Sequence, residues 1–261
     1  MAKLGMITGA ANGIGYEISK LLLLDSYQLT LVDKDPEKLQ EVKTEFSKLS
    51  EFENRILVKD LNLPNAAHEI FQELSDLDLS LDVLVNNAGF GVFGTFSNTN
   101  WKDERDMIHL HVLSATHLCK LFLPQMIKCG KGKILNVASI AAFQPGPLMS
   151  VYYATKAYLV SFSIALANEL KGTGVSVTVL CPGITKTKFQ QTNCKIGTRR
   201  NWNITSSSSV AKYAIKAMNK NKVLAIPGLI NRFLANFHRF IPVRTAASIV
   251  RKLQERNRKI D

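Results

Sequence analysis

The chain has 261 residues, 46% of them apolar, enough for one large α/β core and too apolar for a disordered chain. No run approaches the roughly 18 consecutive apolar residues of a membrane span, and the opening MAKLGMITGA carries no secretory leader pattern. The net charge of +12 is uneven: residues 1–185 hold 16 Lys/Arg and 19 Asp/Glu, whereas residues 186–261 hold 17 and 2.

Short apolar runs alternate with longer amphipathic ones. LGMIT predicts a strand, then a glycine turn and a helix through EISKLLLL; YQLTLVD a second strand; PEKLQEVKTEFSKL a second helix with Pro36 at its start. RILVKD and LDVLVNNAG predict strands flanking a helical AAHEIFQEL. A long helix ending near Pro124 comes next, followed by the strand GKILNVAS and a helix through VYYATK. VSVTVLCPG and KVLAIP complete the strands, and SSSS at 206–209 reads as a loop and helix cap before VAKYAIKAM. Near-continuous apolar strands alternating with helices predict a single-domain, doubly wound α/β fold of Rossmann type, a parallel sheet covered on both faces. Cys119, Cys129, Cys181 and Cys194 form no C-x-x-C pair, which suits reduced thiols in a cytoplasmic protein.

TGAANGIG closes the first strand and opens the first helix. Glycines there allow a sharp turn and let a pyrophosphate approach the backbone, while the helix start offers free N–H groups and positive dipole. NNAG (Asn86 to Gly89) ends the fourth strand, Ser139 ends the fifth, and CPGITKT ends the sixth. Tyr152 follows Ser139 by thirteen residues, and Lys156 follows Tyr152 by four. Positions i and i+4 share a helix face, so Tyr152 and Lys156 project together. An ammonium nearby stabilises phenolate, which lets tyrosine exchange a proton near neutral pH.

Taken jointly, these motifs resemble the short-chain dehydrogenase/reductase family over nearly the whole chain, and NNAGFGVFG and LNVASIAAFQPGP are similar to a bacterial-type branch of broad oxidoreductases. The resemblance implies an NAD(P)-dependent oxidoreductase that interconverts a carbonyl and a secondary alcohol by hydride transfer. Tyr152 would be the acid/base, Lys156 its modulator and a ribose ligand, and Ser139 the holder of the substrate oxygen. Thr8, Gly9, Asn12, Gly13, Ile14 and Gly15 would cradle the cofactor's phosphates. Asp60 and Leu61 would flank the adenine, and Asn87, Ala88 and Gly89 would line the cofactor. Pro182, Gly183, Thr185 and Thr187 would lie near the nicotinamide carboxamide and phosphates. Asp33 falls where an acid binds the adenosine ribose and repels a 2′-phosphate, which favours NAD(H); Lys34 beside it keeps NADP(H) open. Relatives commonly form homo-oligomers through the helices around 101–123 and 151–171.

One position departs from the pattern. The asparagine that relatives use to hold a proton-relay water falls here at His111, just before Val112. Imidazole could hold the same water and pass protons itself. Alternatively the larger ring cuts the relay, leaving a catalytically weak nucleotide-binding scaffold or regulator. His109, His111 and His117 have the wrong helical spacing for a shared metal, so none is expected; His109 and His117 read as surface or interface residues.

Residues 186–209 are expected to cover the substrate, with Phe189 and Trp202 as apolar contacts; this basic segment hints at an anionic group on the substrate. From Gly228 to residue 261 the chain reads as a basic amphipathic extension. One helical face carries Ile230, Phe233, Leu234, Phe237 and Ile241, with Arg232, His238 and Arg239 off it. Packing over the cleft or on a second subunit explains such a face. So does a peripheral membrane contact, which would suit a lipid-like substrate. No nucleic-acid recognition motif is visible.

Overall fold

The computed structural model describes residues 3–77, 80–187, 204–237 and 240–257. Seven parallel strands form the central sheet in the order β3-β2-β1-β4-β5-β6-β9. They are β1 (Lys3–Thr8), β2 (Tyr27–Asp33), β3 (Arg55–Val58), β4 (Val83–Asn86), β5 (Gly132–Val137), β6 (Val175–Leu180) and β9 (Leu224–Ala225). Two short strands, β7 (Thr185–Lys186) and β8 (Thr205–Ser206), pair with each other outside it. The strands of the middle are buried along their length, as the sequence pattern requires of a sheet covered on both sides.

Helices α1 (Gly13–Leu24) and α2 (Pro36–Phe46) cover one face together with α7 (Ser207–Asn219). Ile18 and Leu22 of α1, Phe46 of α2 and Val210 of α7 meet Ile7, Leu29 and Val85 of the sheet in one core. The other face is covered by α3 (Ala66–Ser75), α5 (Ala115–Lys128) and α6 (Ser150–Glu169). There Ile70, Phe122 and Leu166 pack on Met6, Leu84 and Ile134. Each side chain of this size contributes about 1.5–3 kcal/mol when fully buried. The sheet order reverses between β1 and β4, so the loops leaving their carboxyl ends diverge and leave a cleft between them.

The helix before β5 differs from its expected form in two ways. It consists of α4 (Trp101–Ile108), a π-helical turn (His109–Ser114) and α5. It also runs through Pro124 to Lys128 instead of ending near the proline. Pro124 and Lys120 both lie on the exposed side, so the Lys120 carbonyl that loses its donor meets water, while Leu118, Phe122 and Met126 hold the buried side. The C-terminal extension is also two helices, α8 (Leu229–Phe237) and α9 (Val243–Asn257), so Ile241 is not on the same helix as Phe233. The expected substrate cover lies largely in residues 188–203, which include Phe189, Cys194 and Trp202 and are outside the described residues; so are His238 and Arg239. Cys119, Cys129 and Cys181 are free thiols. Among the described residues no helix is long and apolar enough to cross a membrane.

Candidate active site

Local sequence builds the floor of the cleft. Gly9 and Gly13 adopt φ of +65° and +61°, which side-chain-bearing residues rarely reach. Gly15 is demanded by crowding instead: a Cβ there would lie 2.1 Å from the Gly9 carbonyl oxygen. Asn87 clamps this turn. Its side-chain amide donates to the carbonyls of Thr8 and Gly9, both at 3.0 Å, and its backbone N–H donates to Thr8 Oγ1. Thr8 therefore supports the site from below, accepting from Asn87 and Ala88 and donating to Val85 O.

The start of α1 opens on the cleft. Asn12 precedes the helix but makes no side-chain capping bond, and its first turn carries no acid. Gly13 and Ile14 line the cleft, so the uncapped N–H groups and the positive helix end are offered to an anion. At the end of β2 the Asp33 carboxylate is held by three backbone N–H donors, Ala11 at 3.1 Å, Lys34 at 2.8 Å and Asp35 at 3.3 Å. The carboxylate is thereby fixed at the cleft edge beside Lys34. This is a donor and acceptor set that fits an adenine dinucleotide: N–H groups for pyrophosphate and an acid for ribose hydroxyls.

The cleft measures about 970 Å³, at the upper end of small-molecule sites. Of the sequence-predicted positions, Gly9, Asn12, Gly13, Ile14, Asp33, Lys34, Asp60, Leu61, Asn87, Ala88 and Gly89 line it. So do Ser139, Tyr152, Lys156, Pro182, Gly183, Thr185 and Thr187. Thr8, Gly15 and His111 do not; they lie behind its wall.

Tyr152 and Lys156 share a face of α6, which a buried ladder ties to the sheet. Asn86 Nδ2 donates to Asn136 Oδ1 at 2.9 Å, Asn136 Nδ2 donates to Ser163 Oγ at 2.9 Å, and Ser163 Oγ donates to Leu159 O at 2.6 Å. Lys156 is only 5% exposed. Its Nζ donates to Val137 O at 3.1 Å and lies 5.7 Å from the centre of the Tyr152 ring. Burial pulls the ammonium down to about 7, because the charged form loses its hydration. Ser139 caps the 3₁₀ turn Ile140–Phe143, its Oγ accepting from the Ala141 N–H at 3.1 Å. Ser139 lines the same cleft as Tyr152.

His111 sits in the middle of the π-helical turn and is 1% exposed. Such turns often mark functional sites. The Phe90 N–H donates to Nε2 at 3.2 Å, so the proton of the neutral ring is on Nδ1. Nδ1 in turn donates to Thr155 Oγ1 at 2.9 Å, and Thr155 Oγ1 donates to Tyr152 O at 2.8 Å. Burial first, and the nearby Lys156 charge second, hold this imidazole well below the ordinary histidine range. Gly89 makes room for it: a Cβ there would be 2.6 Å from Nε2. Thr155 and Phe90 were not singled out by the sequence, since no motif links them to His111 across 44 and 21 residues.

His109 is half-buried rather than superficial, with Nδ1 3.2 Å from Leu61 O, which also accepts from Ser114 Oγ at 2.6 Å. The turn thus grips the loop carrying Asp60 and Leu61. His117 is exposed. Among the described residues no three His, Cys, Asp or Glu side chains group as metal ligands.

The far wall of the cleft is the C-terminal segment, for which packing over the cleft was one of the expected placements. Leu234 and Phe237 of α8, and Ile249, Val250 and Leu253 of α9, line it with Tyr153. Gln254 Nε2 donates to Tyr153 Oη at 2.8 Å, so α9 is pinned to the helix that carries Tyr152. Asn231 of α8 is buried against Gly183, where a Cβ would lie 2.6 Å from its Oδ1, and its Nδ2 donates to Pro227 O at 2.7 Å.

Comparison with known proteins agrees with this geometry. The family model described as short chain dehydrogenase matches residues 3–195. A ketoacyl reductase of Nostoc sp. is 30% identical over 85% of this chain and 76% of its own. The very-long-chain 3-oxoacyl-CoA reductase of Rattus norvegicus is 29% identical over 96% of this chain and 80% of its own. A solved short-chain dehydrogenase from Sphingobium yanoikuyae in complex with NADPH superposes with a TM-score of 0.81 at 23% identity, covering 99% of this chain and 98% of that one.

Proposed function

Because the chain belongs to the short-chain dehydrogenase family and is thus an NAD(P)-dependent oxidoreductase of carbonyl and alcohol groups, we propose that Tyr152 is its acid/base, that NAD(H) is its preferred cofactor, and that its substrate is largely apolar. The observation that carries this reading is the convergence of Tyr152, Lys156 and Ser139 on one cleft with the glycine turn and the start of α1. The bound nicotinamide supplies or accepts the hydride.

The chain's own groups do the rest. Ser139 Oγ, already accepting from Ala141, donates its hydroxyl proton to the substrate oxygen. Tyr152 gives a proton to that oxygen in reduction and takes one in oxidation. Lys156 is held beside the ring by Val137 O, and its charge favours the phenolate. Its lowered proton affinity means that it exchanges protons near neutral pH. His111 acts as a positioning residue: both ring nitrogens are engaged, one by the Phe90 N–H and one through Thr155 to the Tyr152 carbonyl. A neutral ring so bound has no free lone pair with which to carry a proton.

The cofactor preference rests on Asp33, whose fixed carboxylate would repel a 2′-phosphate. Lys34 offsets that repulsion in part. Substrate class rests on the apolar far wall of Leu234, Phe237, Ile249, Val250 and Leu253. The names of the relatives, which act on oxoacyl and ketoacyl groups, agree with an apolar carbonyl compound.

The test is a titration with NADH and NADPH on the wild type and on Tyr152→Phe, followed by a screen of long-chain ketones and oxoacyl thioesters. Unchanged cofactor affinity with at least a hundredfold loss of turnover in the variant is the expected result. Turnover retained in Tyr152→Phe would remove Tyr152 from the acid/base role. Turnover absent from the wild type, with cofactor bound, would favour the scaffold reading.

A further inference from the structure

Helix α8 is turned against the usual sense of an amphipathic helix. The residues it buries are Asn231 and Ala235, while the large apolar ones point away from the core. Leu229, Ile230 and Phe233, with Phe240 of the following turn and Val243 at the start of α9, are 59–82% exposed. None of these five lines the cleft. Polar packing of Asn231 on Gly183 and Pro227 fixes this orientation, so the apolar face cannot roll inward without breaking it. Leu229, Ile230 and Phe233 share one face of α8, and large apolar side chains left together in water ordinarily mark an interaction site.

We propose that this face docks on an anionic lipid surface and delivers an apolar substrate from it into the cleft. Charge complementarity supports the choice of occupant. From residue 186 onward the chain holds 17 Lys/Arg against 2 Asp/Glu. Arg232, Arg244, Lys252 and Arg256 are exposed on the helices that carry the patch. Arg232 is braced by Ile226 O at 3.0 Å and Tyr213 Oη at 2.9 Å, which fixes one cation on the helix that carries the patch. An apolar face with a basic rim is the pattern that sinks into the headgroup region of an anionic leaflet.

Continuity with the cleft gives the docking a use. Phe233 packs on Phe237 with ring centres 5.2 Å apart and the planes tilted by 30°, and Phe237 lines the cleft. Leu234 and Leu253 extend this apolar path towards Tyr153, whose hydroxyl α9 holds through Gln254. A bilayer against the outer side of α8 would therefore meet one end of an apolar track that leads to Tyr152. The delivery step rests on the function proposed above; the docking itself does not.

Flotation tests the docking without any substrate. Full-length protein is mixed with vesicles of phosphatidylcholine alone or with 30% phosphatidylglycerol, at low salt and at 0.5 M salt. A second protein carries Leu229→Ser, Phe233→Ser and Phe240→Ser, all at exposed positions that leave the core intact. We expect the wild type to float with the anionic vesicles at low salt, at least tenfold less with neutral vesicles or high salt, and the triple variant to lose at least tenfold. Sedimentation of both proteins is run in parallel. Wild type that stays behind with both lipids overturns the proposal, and a dimer abolished by the triple variant would then assign the face to a second copy. A triple variant that floats as well as wild type also overturns it, by placing the contact elsewhere. Cofactor affinity is measured on the same samples, so that failure of the docking and failure of the enzymatic reading are told apart.

Discussion

Gly89 and His111 offer a close test of how the imidazole is held. Gly89→Ala would put a Cβ 2.6 Å from Nε2. Ordinary carbon contacts lie near 3.5–4 Å, so the ring would have to move by roughly 1 Å. The Phe90 N–H bond, now 3.2 Å, would pass beyond hydrogen-bonding range. Overpacking costs about 1–3 kcal/mol, and a buried N–H left without its acceptor about as much again. A loss of about 3 kcal/mol corresponds to a fall in Tm of roughly 6–12 °C for a chain of this size. His111→Ala alone opens a cavity and leaves the same N–H unpartnered, for about 3–4 kcal/mol. In the double variant the alanine at 89 meets no ring, so its added cost should nearly vanish. Urea unfolding of the cofactor-free proteins measures the cycle, and a coupling of about 2–3 kcal/mol is expected. Additive single effects, within about 0.5 kcal/mol, would refute the claim that Gly89 is there to admit the imidazole.

Three further predictions follow from charge. In His111→Asn the pH dependence of stability changes: the folded imidazole stays neutral below the ordinary value of 6.5 while the unfolded one takes up a proton, so wild type loses up to about 1.4 kcal/mol per pH unit as pH falls below that value. The gap between wild type and the asparagine variant should narrow from pH 7.5 to 5.5, and a constant gap would mean that the ring titrates normally. Lys156→Met should raise Tm most at pH 6, where a charged ammonium is buried, and progressively less as pH rises towards the ordinary lysine value of 10.5, because the folded lysine is then already neutral and the unfolded one loses its proton only there, while turnover falls; a Tm gain that does not shrink with rising pH contradicts the desolvation argument. Asp33→Asn keeps an acceptor for the Ala11 N–H but removes the charge, so NADPH should bind about tenfold tighter relative to NADH, as read by tryptophan fluorescence. An unchanged ratio would take Asp33 out of cofactor choice.

Much of this protein could be read from local pattern. The doubly wound sheet followed from alternating strand and helix signals, because continuous apolar runs and period-3.6 burial are properties of short windows. The glycine turn and the Tyr152–Lys156 pair were legible for the same reason: a turn needs its own glycines, and positions i and i+4 of a helix meet wherever the helix lies. Only the tertiary structure decided how His111 is bound, since its partners are Phe90 and Thr155, 21 and 44 residues away, and the π-helical turn that aims it has no sequence period of its own. The same holds for Gln254 and Tyr153, 101 residues apart. For α8 the sequence determined that an apolar stripe exists, but a stripe does not say which way it faces. Asn231 turned it outward: a buried amide must keep a hydrogen-bond partner, here Pro227 O four residues back in the chain, and its side chain packs on Gly183, which the helix meets only in the folded chain.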